Sequence, residues 1–168
     1  ETDDFSDIIN KLLDTGKSFQ IDGRAGTGKT HMAQEIMKEL DKRKLTYLPL
    51  APTNKACRVL SPDTITIHSF MSKFGGQFVK NYNKLDKYDY IIVDEKSFIK
   101  ELFFRLFYHI KQNTKCKFII VGDWAQLEPV QDRTQFDYEN SSVVHTLSDG
   151  NLVKLTKQLN LENRIKFL

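Results

Sequence analysis

Three short runs of β-branched and aromatic residues punctuate the chain: Ser18-Phe19-Gln20-Ile21, Tyr90-Ile91-Ile92-Val93 and Phe118-Ile119-Ile120-Val121. Each ends at Asp or Gly and is too short for a helix, the pattern of strands buried on both faces. Leu45 to Leu50 and Asn151 to Leu155 read as two further strands. Between them, Thr30 to Lys44 places Met32, Ala33, Ile36, Met37 and Leu40 at helical spacing, and Leu102 to Ile110 is apolar on more than one face. Strands alternating with helices predict an α/β fold, a parallel sheet with helices on both faces. The stretch from Met71 to Lys87 breaks this rhythm. There Phe74 and Phe78 flank Gly75-Gly76, a dipeptide suited to a two-residue turn, so a small β-hairpin insertion is expected near residues 71–84.

With 168 residues and 40% hydrophobic composition the chain can bury one sizeable core, and two full domains do not fit in it. A net charge of +3 permits a nucleic-acid partner without implying one. The two cysteines, Cys57 and Cys116, lack the paired spacing of a zinc site or disulfide framework and read as reduced core residues. No apolar run approaches the ~20 residues of a membrane span, and the acidic start is unlike a signal peptide, so a soluble intracellular protein is expected, in cytoplasm or nucleus alike. A first residue other than Met and an abrupt end at Phe167-Leu168 suggest a piece of a longer polypeptide.

The chemistry begins at Gly23-Arg24-Ala25-Gly26-Thr27-Gly28-Lys29-Thr30, which satisfies the Walker A pattern between a predicted strand and a predicted helix. Backbone N–H groups of such a loop close around phosphate oxygens, and the helix N-terminus adds partial positive charge. Gly23, Ala25, Gly26, Thr27, Gly28, Lys29 and Thr30 are therefore the expected ATP-binding set. Lys29 would reach the β- and γ-phosphates and Thr30 would place its hydroxyl on Mg²⁺. Asp94-Glu95 emerges from a buried strand, where open α/β sheets bind ligands. Asp94 would hold Mg²⁺ and Glu95 would orient or deprotonate the attacking water. Gln126, after the third strand, suits a sensor of the γ-phosphate and suits a surface turn equally well.

Together these motifs resemble superfamily 1 DNA helicases of the RecD/Dda-like branch, over Gly23 to about Thr156. Gly23 to Thr30 is similar to motif I, Ala51-Pro52-Thr53-Asn54-Lys55-Ala56 to motif Ia, and Thr66-Ile67-His68-Ser69-Phe70 to the DNA-contact motif that follows it. Asp94 to Phe98 resembles motif II and Gly122 to Val130 motif III. The resemblance implies a RecA-like P-loop domain over residues 1–156, with an insertion within 71–87, and residues 157–168 opening a second domain or forming a terminal helix. It implies an ATPase that moves 5′ to 3′ on single-stranded DNA, with DNA contacts at Thr53, Asn54, Lys55, His68 and Phe70, and with replication or repair proteins as further partners. From the residues alone, Phe70 in the core and His68 in an internal hydrogen bond is the stronger reading.

The chain departs from the family pattern in two places. Asn160 stands where motif IV usually has an Arg that touches the γ-phosphate, and these 168 residues do not themselves hold the second RecA-like domain that supplies another catalytic Arg in the family. Loss of such an Arg costs ~10³-fold or more in phosphoryl transfer. For this chain alone the expectation is nucleotide binding, weak hydrolysis and no unwinding. The alternative is a catalytically weak, nucleotide-dependent switch or scaffold, which Asn160 favours.

Overall fold

The computed structural model describes residues 5–23, 29–74, 82–94, 101–122, 147–155 and 165–167. Seven strands form one sheet: β1 (Phe19–Gly23), β2 (Tyr47–Ala51), β3 (Ile65–Thr66), β4 (Tyr90–Asp94), β5 (Lys117–Gly122), β6 (Leu152–Leu155) and β7 (Ile165–Phe167), in the order β3-β2-β4-β5-β1-β6-β7. Six of them run parallel, and β7 pairs antiparallel with β6. The helices are α1 (Phe5–Asp14), α2 (Lys29–Lys42), α3 (Asn54–Leu60), α4 (Ile67–Phe74) and α5 (Glu101–Asn113), with a 3-10 turn at Tyr82–Leu85. The expected α/β architecture and its five strands are present.

Alternation along the strands divides the core in two. Phe19, Ile21, Tyr90, Ile92, Ile119 and Val121 pack on one face with Ile8, Ile9, Leu12 and Leu13 of α1 and with the apolar stripe of α2. Ile91, Val93, Phe118 and Ile120 pack on the other with Ile67 and Phe70 of α4 and Phe103, Leu106, Phe107 and Ile110 of α5. The α2 stripe consists of the five residues its spacing predicts, all buried. Each of these fully buried Phe, Ile or Leu side chains contributes about 1.5–3 kcal/mol relative to exposure. Pro49, which has no N–H to give, sits in β2 where the neighbouring β3 reaches only Leu50 and Ala51. Cys57 and Cys116 are free and buried, and burial pushes both thiols up from their ordinary range.

Two expectations need correction. Met71 to Phe74 continue helix α4 and Lys84 lies in the 3-10 turn, so neither flank of the proposed insertion is a hairpin strand. Gly75-Gly76 itself lies outside the described residues. The helix prevails because Ile67, Phe70, Met71 and Phe74 recur at i, i+3, i+4 and i+7, and Phe70 is fully buried against Phe107. At the other end, Ile165–Phe167, expected to open a second domain or a terminal helix, instead pairs with Val153–Leu155 and extends the sheet.

The edge of the sheet where the parallel strands begin is tied together by Ser18, which is fully buried. Its hydroxyl accepts from Phe118 N–H at 2.8 Å and from Lys111 Nζ at 3.0 Å, while its own N–H donates to Asp149 Oδ2 at 2.8 Å. Lys111 also pairs with Asp149 Oδ1 at 3.0 Å, joining α5, β1, β5 and the turn before β6. Asp149 and Gly150 take positive φ of 53° and 75° in that turn. Burial alone would raise the Asp149 carboxyl, but hydrogen bonds from Lys111 and Ser18 outweigh it and hold the group below its ordinary value. A carboxylate depressed in the folded state adds stability above its unfolded pKa of about 3.9 and loses that contribution as pH falls through the folded value. Urea unfolding followed from pH 7 down to pH 3 should therefore show a steeper loss of stability for the native chain than for Asp149→Asn, which starts lower and lacks this titration.

Candidate functional site

The C-terminal ends of the parallel strands share one edge, and most residues singled out by chemistry are carried to it. Asp94, the last residue of β4, pairs with Val121 of β5, which pairs in turn with Ile21 of β1. Asp94 and Ile21 thus stand in one row across three strands, two strand spacings or ~10 Å apart. Gly23 ends β1 two residues further on, and Lys29 opens α2 after the connecting loop. Along β4 the alternation places Asp94 on the face of Tyr90 and Ile92, the face that α2 covers. Asp94 is 3% exposed. A buried, ionisable group at a strand end is costly unless hydrogen-bonded or bound to a cation, so its position is informative.

Strand order adds a second argument. The chain leaves β1 across β5 and β4 toward β2, whereas it leaves β5 across β1 toward β6. Neighbours whose onward connections part in opposite directions open a crevice beyond their C-terminal ends, which is where open α/β sheets take ligands. Gly23, the first residue of the Walker A pattern, ends β1 at this crevice. Arg24 to Gly28, Glu95 and Gln126 lie outside the described residues, and so does Asn160; Lys29 and Thr30 are described only as the first residues of α2.

Past β4 the same edge continues to β2 and β3. Thr53 is the N-cap of α3, its hydroxyl accepting from Ala56 N–H at 3.1 Å. Asn54 and Lys55 follow it on the surface. Thr66 ends β3 and serves α4 in the same way, accepting from Ser69 N–H at 3.0 Å. His68 is exposed with its ring edge-on to Phe103, centroids 5.6 Å apart. Thr66 pairs with Ala51, so the starts of α3 and α4 are neighbours.

Phe70 does not join them. It is fully buried, packed on Phe74 at 4.9 Å and Phe107 at 5.9 Å between centroids, and offers no face to a base. Two contributions went unread in the sequence. The Thr66-Ile67-His68-Ser69 capping pattern carries a recognisable helix-start signal. Gln34 of α2, which donates to Val59 O at 3.0 Å and so ties the Walker A helix to the end of α3, has no local signature.

The model of the AAA domain family matches residues 7–132, which is most of the chain. The chain belongs to this AAA domain family. The AAA domain is 27% identical to the ATP-dependent DNA helicase Pif1 of Bdellovibrio bacteriovorus, over 76% of this chain and 33% of that protein. Its fold is shared with Pif1 helicase from Candida albicans, at a TM-score of 0.69 and 22% identity over 94% of this chain and 40% of the other. A Bacteroides Pif1 in complex with ADP-AlF4 aligns at 0.63 and 21% identity, over 93% of this chain and 42% of the other. The AAA domain thus spans about a third of the length of the curated relative and about two fifths of these solved helicases. Among the described residues, no helix is long and apolar enough to cross a membrane.

Because Phe70 is core, Phe70→Ala should lower the unfolding free energy by about 3–5 kcal/mol in a denaturant titration. A loss below ~1 kcal/mol would return Phe70 to the surface and to the role of a base-stacking residue.

Proposed function

We propose that this domain is the ATP-binding half of a DNA helicase motor, in which Mg²⁺-ATP hydrolysis at one end of the sheet edge drives movement along single-stranded DNA at the other. The observation that carries the reading is the row of strand ends: Gly23 and the start of α2, then Asp94, then Thr53-Asn54-Lys55 and Thr66-Ile67-His68, in spatial order. β4 and β2 are neighbours, so the nucleotide and DNA regions stand one strand spacing apart, ~4.8 Å, at Asp94 and Ala51. A displacement at Asp94 has a short route to Thr53.

In this reading the Walker A backbone and Lys29 hold the triphosphate, and Glu95 orients the attacking water, with Gln126 sensing the γ-phosphate. Asp94, a hard oxygen donor buried at the strand end, fits Mg²⁺, with Thr30 as the second protein donor. Mg²⁺, when bound, neutralises charge developing on the phosphate oxygens. Thr53, Asn54 and Lys55 contact the DNA backbone and His68 the strand beside it. The 5′-to-3′ polarity and a second RecA-like domain as catalytic partner follow from the resemblance alone. A second reading, a nucleotide-dependent switch with little hydrolysis, is favoured by Asn160 in place of the family's Arg.

The test is ATP binding by the chain, and ATP hydrolysis by the chain joined to its second RecA-like domain, with and without a single-stranded oligonucleotide, in the native sequence, Lys29→Ala and Glu95→Gln. The motor reading expects binding lost in Lys29→Ala and kept in Glu95→Gln, with DNA-stimulated hydrolysis falling ~10²–10⁴-fold in the latter. Binding that alters DNA affinity without any hydrolysis would replace the motor by the switch. ATP binding indifferent to Lys29→Ala would remove both.

A further inference from the structure

At the edge where the parallel strands begin, a cavity of about 870 Å³ opens between the start of β2, the end of α4 and the 3-10 turn. Three lysines, Lys73, Lys84 and Lys87, and three aromatic residues, Tyr47, Phe74 and Tyr88, line it. Tyr47 pairs with Tyr90, which is four residues and roughly 13 Å along β4 from Asp94. The cavity is therefore separate from the nucleotide region of the opposite edge.

Its chemistry is uneven in an informative way. Among the described residues, none of the three ammonium groups is paired with a carboxylate; Lys87 Nζ instead lies 5.2 Å from the centre of the Tyr88 ring. The apolar floor is Leu48 and Leu85, both buried. Asp63 is the one acidic lining residue, leaving a net lining charge of +2. The Tyr47 hydroxyl donates to Asp41 at 3.0 Å, and burial followed by that carboxylate pushes it up to about 12, so the ring is fixed as a neutral surface. Ammonium groups interleaved with aromatic surface above an apolar floor suit a ligand with a phosphate and a flat ring. An acidic peptide would use the lysines and leave the rings without partners. The volume is within the range that holds a ligand of nucleotide size.

We infer that this cavity is a second binding site for a nucleotide unit, with phosphate on Lys73, Lys84 and Lys87 and base against the aromatic wall. The unit is either a free nucleotide or one residue of a single strand. The inference goes beyond the motor reading and does not depend on it, since none of these residues belongs to the sheet edge that holds Asp94.

The experiment is an amide NMR titration of the whole chain carrying Lys29→Ala, which silences the other site, with dTMP and separately with a dT 12-mer. Shifts at Tyr47, Phe74, Leu85 and Tyr88 are expected, and Lys73→Gln, Lys84→Gln and Lys87→Gln together should weaken binding at least tenfold. Spectra of the remaining amides report whether that variant keeps its fold. Response to dTMP and 12-mer alike identifies a free-nucleotide site. Response to the 12-mer only identifies a strand site, and its salt slope should then fall by about 2 in the triple variant. No shift at these residues with either probe, shifts that survive the triple variant, or shifts with hexaglutamate in place of both probes would each overturn the site.

Discussion

A parallel sheet sends the C-terminal ends of its strands to one edge, and this geometric constraint governs everything else in the domain. Parallel pairing requires crossovers that cover both faces, so the strands must be apolar on both sides and polar chemistry is confined to their ends. Asp94 obeys that rule: four buried residues of β4 precede it, and the carboxylate appears where the strand stops. The helices are consequences of the same constraint. α2 lies on the face of Ile21 and Ile92, α5 on the face of Ile91 and Phe118, and each begins after a strand has ended at the functional edge.

The two edges of the sheet do different work. At the starting edge, Ser18, Lys111 and Asp149 knit three strands and a helix through hydrogen bonds of 2.8–3.0 Å. At the finishing edge the groups with capacity to bind are held by short caps, such as Thr53 and Thr66, which fix the first turns of α3 and α4 without using the exposed side chains beside them. Gln34 links the two helices that flank this edge, α2 and α3, through the Val59 carbonyl.

Much of this was legible in the residues. β4 and β5 announce themselves because burial on both faces leaves no polar position within Ile91–Val93 or Phe118–Val121 to confuse the period, and α2 because its five buried positions repeat at helical spacing. The misreadings share a cause: a local signal outweighed a tertiary one. Gly75-Gly76 suggests a hairpin, yet Phe74 packs on Phe70, Phe70 on Phe107 and Phe107 on Phe118, and burying that aromatic row makes the preceding segment a helix. The same burial removes Phe70 from the DNA-facing set, as the bare residue preference suggests. β3 has two residues and β7 three, too few for any period to register, and β7 forms only because Val153 to Leu155 present an edge to pair with. Of the expected nucleotide set, Asp94 is located in atomic detail and Gly23, Lys29 and Thr30 by their place in the fold.

The central claim is that the finishing edge of the sheet takes the nucleotide. Hydrogen exchange of the chain with and without Mg²⁺-ATP tests it directly. The account predicts slowed exchange at the ends of β1, β4 and β5, around Gly23, Asp94 and Gly122, and in the first turn of α2, with Ser18 and Phe118 at the other edge unchanged. Protection confined to the starting edge, or none at saturating nucleotide, would contradict it.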